Sequence, residues 1–419
     1  MATSLRAVEI CAGAGGQALG LQRAGFEHAL AIELDHNAAA TLRMNTDWPV
    51  AEGDVADEMV WNPSDYEGID LLAGGVPCPP FSVAGKQLGS GDERDLFAWA
   101  VEQVSVMKPR ALLLENVRGL AGPKFAAYRQ RILDRLAEFG YVADWKLLYS
   151  ADFGVAQLRP RFVLIAMRPE EAAFFQWPTP QAERVTVGES LVDLMSENGW
   201  KFAKEWSTLA NGTGPTLVGG SKKHGGADLG PTRAKASWAD LYVDARGVAD
   251  EAPSIDWPSA REMRPKLTIA MVARLQGWLG HEEWTFSGRK TSQYRQIGNA
   301  FPPPVAEALG SSIAAALNHQ GDEHAIPSLI SEVHDPIYQA LSRAGSFVGE
   351  QDLLALIGQE RRPQQTLAAR LQLLSRDFVL DTRATNGSTS YRLGEFKGFV
   401  GQADHSRHSF IRTQRGRVS

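Results

Sequence analysis

Cys78 stands between prolines in LLAGGVPCPPFSVAGKQ, directly after an apolar run. Flanking prolines make a stiff, exposed turn, whereas Cys11 sits within an apolar run, as a structural cysteine would. A thiol attacks only as the thiolate, and its unperturbed pKa is about 8.5. Cys78 is therefore a candidate nucleophile, with a purely structural cysteine as the plainer alternative. Residues 82–94 are polar and Gly-rich, the composition of a mobile loop over an active site.

Three further groups could do chemistry. Glu115 and Asn116 follow the apolar run 111–114. A carboxylate there is either desolvated and raised in pKa or paired; alternatively, Asn116 caps a helix and Glu115 is solvated. Gln157, Arg159 and Arg161 precede a buried run at 162–167, and alternation would put all three on one face. That face could offer donors to a phosphate or a pyrimidine oxygen, or form an edge-strand ion pair. In VEICAGAGGQALGL, Gly13, Gly15 and Gly16 lie between an apolar run and a helical pattern, where glycine lets the backbone turn and approach a ligand. Glu33 ends the next apolar run, where an acid can accept hydrogen bonds from ribose hydroxyls. Asp54 follows Gly53 and could bond an adenine amine. These residues alone do not separate nicotinamide from other adenosine cofactors, and a strand–turn–helix junction without a ligand also fits.

The elements that must position these groups alternate. Residues 7–11, 29–33, 71–75, 111–115 and 162–167 read as buried strands, with helical periodicity at 16–24, 37–44, 97–107 and 125–139. Such alternation implies an α/β fold, a parallel sheet with helices on both faces and ligands at the carboxyl ends of the strands. The pattern predicts a first domain over residues 1–177. A loop-rich region over 178–265 has strand-like runs such as GPTLVGG and DLYVDARG, and helical patterns at 268–277 and 304–318 suggest a return to the first domain over 266–320. Residues 334–343, 349–357 and 363–375 then read as helices, followed by two strand runs around Asn386-Gly387, a hairpin-turn signal. Three helices and a hairpin over 321–395 suggest a winged-helix-like module, with a basic tail at 396–419 that is expected to be poorly ordered.

Composition narrows the class. The chain has 419 residues, 44% hydrophobic, enough for a buried core. Only two cysteines occur, which disfavours a disulfide framework and fits a reducing, cytoplasmic setting. Neither a secretion signal nor a run of ~18 apolar residues is read, so no membrane association is expected. The net charge of −6 argues against a nucleic-acid partner only if taken whole, because phosphate contacts need just a local basic surface.

In this order, the motifs resemble the cytosine-5 DNA methyltransferase family of bacterial restriction–modification systems, over residues 7–167 and 264–318. VEICAGAGG is similar to the family's cofactor loop and VPCPPFSVAGKQLGSGDERDLF to its catalytic loop. ENV and QLRPR match two further active-site motifs, and RLQGW and QIGNAFPPPVAEALG its last two. The resemblance implies a Rossmann-like S-adenosylmethionine-dependent domain that methylates carbon 5 of cytosine in double-stranded DNA. Cys78 would add to carbon 6, Glu115 would hold N3 and the amine, and Arg161, assisted by Arg159, would stabilise the O2 side. It further implies that the target base is flipped out of the duplex, with the loop closing over it. Lys86, Gln87 and Arg94 on that loop are candidate DNA contacts.

For the cofactor, the resemblance implies Gly13, Gly15 and Gly16 in the loop, Glu33 on the ribose, Asp54 on the adenine amine and Asn299 completing the pocket. Cys11 stands where the family usually stacks an aromatic on adenine, and Leu34 where a larger aromatic is common. Ala270-Met271 replace an Arg-Glu pair of the penultimate motif, without expected catalytic consequence. No metal site is implied. Residues 178–265 correspond to the family's target-recognition region, with Lys222, Lys223 and Arg233 as DNA contacts and Arg233 the candidate reader of a guanine. A cognate restriction endonuclease acting on the same site is a further expectation. Two other readings fit parts of the sequence: a transfer-RNA cytosine-5 methyltransferase, and a non-catalytic DNA-binding regulator. For the C-terminal module the expectation is nonspecific phosphate contacts through Arg361, Arg362 and Arg370, with a packing or dimerisation role as its rival.

Overall fold

The computed structural model describes residues 4–76, 94–219, 227–279, 284–325, 335–358, 360, 362–385 and 388–398, without the side chains of Arg94 and Asp95. Its centre is a sheet of β1 (Leu5–Ile10), β2 (Phe26–Glu33), β3 (Val50–Glu52), β4 (Leu71–Gly74), β5 (Ala111–Val117), β6 (Val142–Tyr149) and β7 (Pro160–Met167). The strand order is β3-β2-β1-β4-β5-β7-β6. Helices α1 (Gly16–Arg23), α2 (His36–Asn45), α3 (Arg94–Met107) and α4 (Ala126–Glu138) interleave with the strands. Residues 111–114 of β5 are wholly buried, as a continuous apolar run in a covered sheet must be.

The first five strands pair in parallel, as the alternation predicts. β7 instead runs antiparallel between β5 and β6. Chain length forces this departure. Only residues 150–159 join β6 to β7, and a parallel crossover needs about a dozen or more.

After the short α5 (Pro169–Ala172), the insert holds α6 (Val187–Ser196), α7 (Ala203–Leu209) and α8 (Thr232–Asp240). GPTLVGG and DLYVDARG, expected as strand-like, form no named strand among the described residues. The insert is instead organised around indoles: Trp206 and Trp238 are wholly buried and Trp200 nearly so. The chain then returns through α9 (Ile269–Gln276), α10 (Lys290–Asn299) and α11 (Pro303–Leu317). α11 lies so close to α1 that a Cβ on Gly20 would overlap the Pro303 carbonyl.

The C-terminal module comprises α12 (Pro336–Ala344), β8 (Val348–Gly349), α13 (Glu350–Ile357), α14 (Pro363–Asp377), β9 (Phe378–Thr385) and β10 (Ser388–Phe396). Its three expected helices and hairpin are present, and β8 adds a third antiparallel strand in the order β8-β10-β9. Thr385 pairs with Ser388 across Asn386-Gly387, which lie outside the described residues. The module is packed onto the first domain. Tyr338 donates its hydroxyl to Asp134 Oδ2 at 2.7 Å, and the Phe396 ring lies 5.4 Å from that of Tyr128. The tail beyond Gly398 is outside the described residues. Among those described, no helix is long and apolar enough to cross a membrane.

Candidate active site

β5 does not stop before its polar residues. Glu115 and Asn116 continue the ladder opposite Val163 and Phe162, and Val117 pairs with Arg161. This register brings Glu115 Oε1 to 2.5 Å from Arg161 Nε, with both side chains 10% exposed. Neither atom has an aligned hydrogen-bond partner, so the contact is an ion pair rather than a directed bond. Burial pushes the Glu115 carboxyl above the usual carboxylate range, while the charges of Arg161 and Arg159 pull it back. Burial also lowers the Arg161 guanidinium, with Glu115 opposing.

This pair faces the end of β4. A Cβ on Gly75 would lie 3.4 Å from Glu115 Oε2, an ordinary contact distance. Asn116 does not cap a helix: its Nδ2 donates to the Val76 carbonyl at 3.0 Å, and its Oδ1 accepts from Val117 N at 2.8 Å. The chain leading to Cys78 is therefore tied to the strand end that carries Glu115. Cys78, Lys86 and Gln87 lie outside the described residues, and Arg94 opens α3 without a described side chain.

Arg159 lies near enough to Arg161 and Glu115 for their charges to act on one another, but the bonds of Gln157 and Arg159 go elsewhere. They precede β7 and turn into the interior, where both are wholly buried. Arg159, at φ +21°, donates to the carbonyls of Leu217, Gly298 and Ala300 at 2.7, 2.8 and 2.7 Å. Gln157 Oε1 accepts from Leu217 N at 2.7 Å, and its Nε2 donates to Leu275 O at 3.0 Å and Gln276 Oε1 at 2.5 Å. Together they knot the approach to β7, the insert and the turn after α10. Buried acceptors of this kind are expensive to leave unpaired.

The glycine loop and Glu33 form the expected cradle. Gly13 N donates to Glu33 Oε2 and Asp35 N to Oε1, each at 2.7 Å. Burial raises the Glu33 carboxyl, and these backbone donors oppose that rise. Gly13 has φ +57° and open space where a Cβ would point. At Gly16, by contrast, a Cβ would overlap the Phe301 carbonyl. Asp54 Oδ1 accepts from Ala56 N at 3.0 Å, whereas Oδ2 is buried with no partner. An orphaned acceptor, an acid at a strand end and an open glycine fit an adenosine-bearing ligand. Trp284 was not read from the sequence as part of this region; its Nε1 donates to the Ala14 carbonyl at 2.9 Å. Cys11 is half-buried and Leu34 is 56% exposed.

Asn299 lies beside the insert. It is exposed, and its Oδ1 lies where a Cβ on Gly219 would stand. The carbonyls of Gly298 and Ala300, on either side of it, are pinned by Arg159, and the Phe301 carbonyl lies against Gly16. In the insert, Arg233 is exposed in the first turn of α8, and Lys222 and Lys223 lie outside the described residues.

Comparison with known proteins agrees with this geometry. The family model for C-5 cytosine-specific DNA methylases matches residues 5–315. Type II methyltransferase M.NaeI of Lentzea aerocolonigenes is 56% identical over 99% of this chain and 100% of its own. Type II methyltransferase M.NgoMIV of Neisseria gonorrhoeae is 50% identical over 75% of this chain and 98% of its own. The solved structure of S. pombe Dnmt2 methyltransferase shares the fold, with a TM-score of 0.50 at 18% identity over 75% of this chain and 99% of that one. With residues 5–315 inside that family's model and a full-length relative at 56% identity, the chain belongs to the C-5 cytosine-specific DNA methylases and moves a methyl group from S-adenosylmethionine to carbon 5 of cytosine in DNA.

Proposed function

We propose that Cys78 is the nucleophile and that Glu115 and Arg161 receive a cytosine turned out of the duplex. Extracting the base costs a few kcal/mol. The Cys78 thiolate forms a bond to carbon 6, and the electron pair of the carbon 5–carbon 6 double bond becomes available at carbon 5. Glu115 donates its proton at N3 as charge builds there, and Arg161 faces the O2 side. When bound, S-adenosylmethionine supplies the electrophilic methyl carbon that carbon 5 takes. Loss of the carbon 5 proton to a base, with water as the candidate, and return of the N3 proton to Glu115 restore the double bond and release Cys78 as the thiolate.

The observation that carries this reading is the desolvated Glu115 carboxyl, raised by burial, beside Arg161 and facing the end of β4, the strand that leads to Cys78. Arg159 acts as a positioning residue through its three carbonyls rather than on the base. Gly13, Glu33 and Asp54 would hold the cofactor, Asp54 Oδ2 meeting the adenine amine. The insert reads the target, with Arg233 at a base edge. M.NaeI and M.NgoMIV bear the name Type II methyltransferase. In the same setting, this chain would protect, in the cytoplasm, a sequence that a companion endonuclease cuts.

Bisulfite sequencing of a plasmid from cells making the protein tests the reading. Cytosines within one short sequence should resist conversion with the wild type and convert fully with Glu115→Gln. Equal protection by both proteins would contradict it.

A further inference from the structure

Charge is divided unevenly along this chain. Residues 361–419 carry eleven Lys and Arg against four Asp and Glu, in a protein of net charge −6. The preceding residues are therefore strongly acidic, and the basic segment stands apart from them. It also lies beyond the end of the family model at residue 315, and M.NgoMIV has no counterpart to a quarter of this chain. Methyl transfer in that family is thus built without it.

Within this segment α14 has no acidic side chain from Pro363 to Arg376. The helix buries Leu367, Leu371 and Leu374 in the core that holds Leu353 and Ile357 of α13. An adjoining face exposes Gln364, Gln365, Ala368 and Gln372. Its last turn meets the first domain, where the Arg376 guanidinium lies 6.0 Å from the Phe125 ring centre. The β9–β10 hairpin stands beside it. Exposed Arg383 lies 4.2 Å over the Phe347 ring, and Asp381 is held by Arg392 at 2.6 Å.

We propose that α14 and the β9–β10 hairpin form a second surface for double-stranded DNA, separate from the insert, which grips duplex flanking the methylated site. This rests on the methyltransferase reading only in taking duplex DNA as the substrate already present. The major groove admits one α-helix, and glutamine pairs with adenine through two hydrogen bonds there. Gln364, Gln365 and Gln372 present such side chains on one face, with Ala368 leaving room for close approach. Arg362 is exposed just before α14 and Arg383 is exposed on β9, each suited to a phosphate. A partner with a dense row of negative charge complements this segment, whereas the acidic remainder repels it.

The test is equilibrium binding of the full-length protein to two duplexes centred on a bisulfite-mapped target. One covers the target alone, and the other adds about two helical turns on each side. The wild type should bind the longer duplex about tenfold or more tightly, with a steeper loss in salt, ~0.9 log units per added phosphate contact. Arg362→Glu/Arg383→Glu should abolish that gain, and so should Gln364→Glu/Gln372→Glu. Equal affinity of the wild type for the two duplexes, or the same gain in wild type and both double variants, would overturn the proposal. Methyl transfer by the wild type to the short duplex, read in the same samples, tests the catalytic reading independently.

Discussion

Glu115 Oε1 and Arg161 Nε stand 2.5 Å apart across the antiparallel β5 and β7, yet neither has an aligned hydrogen-bond partner. A buried pair left incomplete in this way costs stability. A cytosine edge entering beside Gly75 would give both groups the directed bonds they lack. The arrangement is suited to binding something that arrives, rather than to holding the fold.

Substituting Glu115 should therefore act on chemistry and on its pH dependence. Burial raises this carboxyl, so its proton persists to higher pH than in an exposed glutamate. A step that uses the proton is at full strength on the acid side and weakens as pH rises through the raised pKa. Glu115→Gln is expected to lower kcat/KM by roughly 10²–10⁴-fold and to remove the alkaline fall. Single-turnover methyl transfer across a pH series reads both. An alkaline fall that survives in the variant would assign that titration to another group.

The cofactor cradle makes a separate prediction. Asp54 Oδ2 is a buried acceptor without a donor, and Glu33 closes on the amides of Gly13 and Asp35. Asp54→Ala and Glu33→Ala should each weaken S-adenosylmethionine binding by about 1.5–3 kcal/mol, the range for a hydrogen bond to a charged group. Titration calorimetry measures this directly. Unchanged affinity in both variants would place the cofactor elsewhere.

Arg159 should behave differently from Arg161. Its guanidinium serves the carbonyls of Leu217, Gly298 and Ala300; Arg159→Ala strands the first two, whereas Ala300 O keeps a bond from Gln276 Nε2 at 2.7 Å. Each unpaired group costs about 1–3 kcal/mol, without strict additivity. A loss of roughly 2 kcal/mol or more is expected in denaturant unfolding, partly recovered in Arg159→Lys. An effect within about 0.5 kcal/mol, as for ordinary surface changes, would remove the knot from the account.

The sequence made the residues of the site easier to read than their directions. Apolar runs located β1, β2, β4, β5 and β7 because central strands are covered on both faces. It missed β3, only three residues long, and β6, an edge strand whose polar and apolar residues mix in VADWKLLY. Alternation did not reveal the partners of Gln157 and Arg159, because both lie before the strand, in a bend with positive φ at Arg159. For Asn299 the sequence did not show that the carbonyls on either side of it would be held by Arg159. Such long-range pairings to Leu217, Gly298 and Ala300 leave no local pattern. The insert's strand-like runs did not show that helices packed around Trp206 and Trp238 would organise it.

Covalent trapping tests the central claim most directly. A duplex with 5-fluorocytosine at the mapped target, incubated with the protein and S-adenosylmethionine, cannot complete the final step, because fluorine does not leave as the proton does. The account expects a stable protein–DNA adduct whose peptide mass places the bond on Cys78, and no adduct with Cys78→Ala. An adduct borne by Cys11, or methyl transfer by Cys78→Ala at the wild-type rate, would contradict it.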